Sequence, residues 1–217
     1  ASHTVTRLAL PSGERLWQTA LGCQPATLSR LGKWVYVSCF DSGELLVMDE
    51  MSGSIVTRRW VGHGIFGVLA VSGRLFATLS HENALVVLDV TTLEEITRSA
   101  TRLNPRGLAL AGDRLYVVHF LDASLYVFNA EIVELIGYIE IGQDAALAEN
   151  VFLDVDRERA YVPHQRQNIN NMARQFDNTI FPVVDSVDIV KMQPVRREAL
   201  ALDSVDEPVG LPMAVAR

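Results

Sequence analysis

The side chains with the clearest chemical potential are five histidines, two cysteines and one polar stretch. His119 and His164 stand three residues after an aromatic anchor, at a position that holds Cys39 and Leu79 in other copies of an internal repeat. Imidazole is a ligand for copper or zinc, so His119 and His164, in adjacent copies, form the candidate metal pair. The competing reading makes them hydrogen-bonded or solvated loop histidines, because equivalent positions in adjacent copies lie about two sheet spacings of ~10 Å apart. The polar stretch, Pro163 to Pro182, carries His164, Gln165, Arg166, Asn168, Arg174 and Asp177. A loop longer than about 12 to 15 residues is characteristically functional, and these six are the candidate partner- or cofactor-binding residues. The alternative is a loop folded back and held by Phe176, Ile180 and Phe181. His164 and Arg166 sit at its root, where replacement by alanine is expected to weaken binding and leave the fold intact. Cys23 and Cys39 could be bonded or free, since two cysteines alone decide nothing. A disulfide between them is geometrically feasible and would favour an oxidising compartment.

The elements that must position these residues are set by a period of forty. Tyr36, Phe76 and Tyr116 close one short apolar run, Leu45, Leu85 and Leu125 open the next, and Asp49, Asp89 and Asn129 follow four residues later. Each run holds four to six residues rich in Val, Leu and Tyr, too short for a helix and bounded by turns such as Gly32-Lys33 and Met51-Ser52-Gly53. A forty-residue register of short strands predicts an all-β β-propeller of four-stranded blades. The chain, 1–217, is expected to be a single propeller with a partial blade at 2–18, blades at about 26–61, 66–101, 106–141 and 150–202, and the start of another at 208–217. It would then be an incomplete ring of a larger, seven-bladed propeller, beginning and ending in mid-blade. In the fourth copy Val151–Val155, Arg159–Val162 and Val184–Ile189 are the expected strands, with Pro163–Pro182 as an insertion between second and third. Gly22, Gly62 and Gly142 recur where one blade hands over to the next, a place for positive φ or close backbone approach.

The second strands read W-V-Y-V-S, from Trp34 to Ser38, then R-L-F-A-T and R-L-Y-V-V, and the third strands read L-L-V-M-D, L-V-V-L-D and L-Y-V-F-N. This pattern resembles the YVTN-type β-propeller repeat, known from surface-layer proteins, quinoprotein-like subunits and cytochrome-fused exported proteins. The stretch from Tyr161 to Arg166, followed by Phe176 to Pro182, is similar to a long loop of exported propellers that partner c-type cytochromes. The resemblance implies a periplasmic or extracellular protein with a protein partner, a c-type cytochrome among the candidates. No Cys-x-x-Cys-His haem attachment motif occurs, so no cofactor is assigned within this chain, and a haem or metal ion would belong to a missing portion or to a partner.

The 217 residues are 49% apolar, enough for a sizeable core, and carry 19 basic against 26 acidic residues with no lysine or arginine block. Nucleic-acid binding, which needs a basic patch, is therefore not expected. No apolar run approaches the length of a membrane span, and no charged-then-apolar leader precedes the first strand. Phosphate-binding glycine loops, paired zinc-binding cysteine motifs and a nucleophile elbow are absent, so no catalytic residue is assigned. The leading expectation is a non-catalytic exported scaffold binding a protein or redox partner through its loop face. The alternatives are a subunit of a quinoprotein or c-type-cytochrome-linked oxidoreductase, and a surface-layer scaffold.

Overall fold

Wherever the sequence repeats its four apolar runs, the backbone forms a four-stranded antiparallel sheet. The computed structural model describes residues 3–167 and 180–202, and the chain divides into two compact units, Ala1–Thr101 and Arg102–Arg217. The first unit opens with a hairpin of β1 (Thr4–Leu8) and β2 (Arg15–Ala20). Two full sheets follow: β3 (Pro25–Leu31), β4 (Trp34–Cys39), β5 (Glu44–Asp49) and β6 (Ile55–Trp60), then β7 (Ile65–Val71), β8 (Arg74–Leu79), β9 (Ala84–Asp89) and β10 (Glu95–Ala100). Their faces share one core, in which Tyr36, Leu45 and Val47 meet Ile65, Leu75, Ala77 and Val86.

The second unit begins with an equivalent sheet of β11 (Pro105–Ala111), β12 (Arg114–His119), β13 (Leu125–Asn129) and β14 (Leu135–Ile139). Tyr116, Val118, Leu125, Val127 and Ile139 of this sheet pack against Ala160, Val162 and Val187 of the next. The repeat anchors explain why the three sheets agree so closely. Leu45, Leu85 and Leu125 are fully buried, and Tyr36, Phe76 and Tyr116 are within 3% of it; each such side chain contributes about 2 to 3 kcal/mol of transfer free energy. Asp49, Asp89 and Asn129 each turn an Oδ1 to accept the backbone N–H groups two and three residues on, closing the third-to-fourth-strand turn. The outer strands carry a bulge at the same place, with Val56, Ile96 and Ile136 as the extra residues, which blunts an otherwise open edge. At the handovers Gly22 has φ +73°, while a Cβ on Gly62 would collide with Leu79 and Glu82.

The fourth copy corrects the expectation of a loop at both ends of Pro163–Pro182, whose residues 168–179 lie outside the described residues. The second strand is β17 (Arg159–Gln167) and the third is β18 (Ile180–Asp188), paired without a break from Arg159↔Asp188 to Gln167↔Ile180. Residues 163–167 and 180–182 are thus strand. On its other side β17 pairs with two short pieces, β15 (Ala145–Ala146) against Gln165 and Arg166, and β16 (Phe152–Asp154) against Arg159 to Tyr161. Pro163 falls in the gap between these partners, where its missing N–H is not required on that side. The outer strand is likewise split, into β19 (Gln193–Pro194) and β20 (Leu200–Ala201), both pairing with β18. The strand expected after residue 208 lies outside the described residues.

Cys23 and Cys39 form a disulfide with a Cα–Cα distance of 5.6 Å, tying the start of one blade to the end of its second strand. Unreduced protein should therefore show no alkylatable thiol by mass spectrometry, and two after reduction. Two alkylated thiols before reduction would contradict the bond.

Candidate docking groove

In the nine-residue strand β17, four consecutive residues, His164 to Gln167, are polar. His164 is fully buried, with Nε2 at 2.8 Å from Oδ2 of Asp185 and Nδ1 at 3.0 Å from the Gln165 carbonyl. Both nitrogens are thus engaged by oxygen atoms within the sheet. Arg166 donates from Nη2 to both Asp185 oxygens, at 3.0 and 2.8 Å. Burial by itself would raise the Asp185 carboxyl; the hydrogen bonds and charges of His164 and Arg166 outweigh it and hold it below the usual carboxylate value. The result is a His164–Asp185–Arg166 group in which Asp185, its side chain 3% exposed, is the shared partner, and the Arg166 side chain, 33% exposed with its Nε buried, reaches the surface.

That surface is one wall of a groove of about 1190 Å³, all of it within the second unit. Arg166, Gln167, Phe181 and Val183 of β17 and β18 line this wall, with Arg196 and Ala201 at its margin. The opposite wall comes from Asp122, Ser124, Tyr126 of β13 and Tyr138 of β14, and the segment from Glu140 to Ala145 crosses from it to β17, where the Asp144 carbonyl accepts the Gln167 N–H at 2.9 Å and Ala145 pairs with Arg166. Tyr126 and Tyr138 are cross-strand neighbours with stacked rings, centroids 5.5 Å apart. Arg102 bonds Asp122 at 2.8 Å and the Tyr126 hydroxyl, fixing the rim.

His119 lies behind Tyr126, ring centroids 4.6 Å apart, and is fully buried. Its Nδ1 is 3.4 Å from the Ser124 carbonyl and its Nε2 has no hydrogen-bond partner. Burial pushes its pKa down to about 4, against the opposing pull of the Ser124 carbonyl and Asp122. It is a neutral core histidine.

The candidate residues thus separate. Arg166 reaches the groove; His164 stands behind it in the strand with both nitrogens engaged, so it has none free for a metal ion; Gln165 is a strand residue beside them. Asn168, Arg174 and Asp177 lie outside the described residues. Among the described residues no group of three or more His, Cys, Asp or Glu is placed to hold a metal. His63 and His81, in the first unit, are exposed and rest edge-on against Trp60 and Phe40. The placement of His164 and Arg166 at a loop root is corrected, since both are residues of β17; alanine at His164 would remove the buried partner of Asp185 and is expected to cost stability. Asp185, Tyr126, Tyr138, Glu140 and Asp144 went unrecognised in the sequence. Asp185 had a signal, a carboxylate inside the apolar run V-V-D-S-V, and charged residues are rarely buried unless paired.

No protein-family model matches the sequence, and no curated protein matches it. Solved structures do. A structure of hydrazine synthase from Kuenenia stuttgartiensis is similar at a TM-score of 0.85 and 17% identity, over 97% of this chain and 63% of that one. A mitotic checkpoint complex structure matches at 0.67 and 11% identity over 89% of this chain and 58% of that one, and BamB from Moraxella catarrhalis at 0.54 and 14% over 74% and 50%. The chain therefore spans less than two thirds of each of these. With its repeated four-stranded antiparallel sheets, this likeness makes the chain a β-propeller protein. Among the described residues no helix is long and apolar enough to cross a membrane.

Proposed function

We propose that this chain is a non-catalytic, exported β-propeller of the YVTN-repeat kind that binds a protein partner through the groove of its second unit. The observation that carries the reading is the groove itself. A polar, open cleft of about 1190 Å³ is walled by strand residues on a rigid sheet and backed by a buried His164–Asp185–Arg166 group that fixes one of its arginines. The Cys23–Cys39 bond supports an oxidising compartment, periplasmic or extracellular. Propellers are scaffolds for many activities, and the checkpoint-complex likeness is to a protein assembly.

A photo-crosslinking residue at Gln143, in the groove, should form an adduct with a defined partner protein. The same residue at Glu14, exposed on the first hairpin, should not. Ala201→Trp, which fills the groove from its margin, should abolish the Gln143 adduct. Adducts that are equal at both positions, or indifferent to A201W, would overturn the scaffold reading.

The hydrazine synthase likeness, over 97% of this chain, favours a second reading: a subunit of a c-type-cytochrome-linked oxidoreductase. A haem absorption band in the purified complex with the crosslinked partner distinguishes it from the first.

A further inference from the structure

From Leu115 to Asp156 the sequence holds no lysine or arginine and eight carboxylates, more than accounts for the net charge of -7 of the whole chain. This stretch supplies Asp122, Ser124, Tyr126, Tyr138 and the segment from Glu140 to Ala145 to the groove lining. Three of its carboxylates have cations brought from elsewhere: Arg102 takes Asp122, Arg106 takes Glu149 and Arg157 takes Asp154. Glu140 and Asp144, both exposed and both lining the groove, have no ion-pair partner among the described residues. Beside them stands the Tyr126–Tyr138 stack, with Tyr138 54% exposed.

The repeat itself shows what belongs at this place. The position of Tyr138 is held by Arg58 in β6 and Arg98 in β10. Arg58 reaches Glu44 and the Leu21 carbonyl, and Arg98 reaches Glu82, Glu95 and the Val61 carbonyl. Twice, then, the outer strand accommodates a guanidinium against carboxylates, and in the third copy the guanidinium is replaced by an aromatic face while carboxylates persist around it. Tyrosine faces attract cations, and Glu140, two residues on and just past the end of β14, adds a second attraction. Exposed stacked aromatics beside unpaired charge of one sign mark an interaction surface whose partner carries the other sign.

We propose that Tyr126, Tyr138, Glu140 and Asp144 form a docking wall for an extended, arginine- or lysine-bearing segment of a partner protein, one cationic side chain lying over the tyrosine pair. This rests on the scaffold reading and gives that partner its chemistry. Across the groove Arg166 is engaged by Asp185, and Arg196 stands only at the margin, so the cation preference belongs to the side where the tyrosine pair and Glu140 meet.

The test uses the whole chain and a fluorescent peptide of alternating arginine and alanine, about eight residues long, followed by anisotropy at low salt. The wild type should bind it, and should not bind the glutamate–alanine counterpart. Binding should weaken about tenfold in the Glu140→Gln, Asp144→Asn double variant. It should weaken at least as much in Tyr138→Arg, which restores the internal guanidinium of the other two copies. About 1 M salt should abolish it. Equal binding by wild type and both variants, equal binding of the glutamate peptide, or no binding at low salt would overturn the proposal. A Gln143 adduct that persists when the arginine peptide fails to bind would leave the scaffold reading standing and remove the basic partner.

Discussion

Asp185→Ala should destabilise the Arg102–Arg217 unit by about 3 to 5 kcal/mol at neutral pH, the range found when one member of a buried ion pair is removed. Asp185 is the shared partner of the His164 Nε2 and the Arg166 Nη2, and alanine would leave the fully buried His164 facing a cavity with Nε2 unpaired. Arg166 contributes less to the loss, because a third of its side chain already meets water. Asp185→Asn, which keeps shape and an acceptor but not the charge, should fall between. Because its neighbours hold the Asp185 carboxyl below the usual value, its contribution is present above about pH 4 and is lost as pH falls through the lowered folded value. Denaturant unfolding of wild type, D185N and D185A at neutral pH decides the matter. A loss below about 1 kcal/mol in D185A would mean that the group is solvated rather than buried.

The three regular sheets were legible because their determinants are local and periodic. Leu45, Leu85 and Leu125 open one strand in every copy, and the Asx turns of Asp49, Asp89 and Asn129 close the same hairpin each time. The fourth sheet was not legible for a nameable reason. Pro163 and Pro182 argue against strand on general grounds, and what admits Pro163 is a break in the neighbouring strand between Phe152–Asp154 and Ala145–Ala146, which no local pattern reveals. Once the strand was read as a loop, His164 and Arg166 became surface candidates, although one is core and the other only the tip of a buried group. The opposite wall was missed because its signal is negative. It consists of a long interval without a cation and a tyrosine where two other copies keep arginine, and neither matches a chemical motif. The pairing of Tyr126 with Tyr138 brings the two rings together, and Glu140 follows just past the end of β14.

His119 should make the native state acid-sensitive over a window distinct from that of Asp185. Its folded pKa is about 4, whereas an unfolded histidine titrates near 6.5. As pH falls through that interval the unfolded chain takes up a proton that the native chain cannot, so stability is full above about pH 6.5 and declines toward pH 4, by about 3 kcal/mol in all. The cause is burial, with Arg102 adding to it and Asp122 and the Ser124 carbonyl opposing it. The informative replacement is His119→Leu, because Leu79 occupies the equivalent place in β8, fully buried. Little is lost by it. The Ser124 carbonyl still accepts the backbone N–H of residue 119 at 2.9 Å, and the buried, unpartnered Nε2 disappears. Removing an unsatisfied buried polar atom relieves a cost of about 1 to 3 kcal/mol. H119L should therefore match or exceed wild type near neutral pH and retain, near pH 4, about 3 kcal/mol that the wild type loses. The carboxylates titrate in both proteins, so they cancel in the comparison of denaturant midpoints across the series. Parallel pH profiles for wild type and H119L would show that His119 gains a proton without leaving its site.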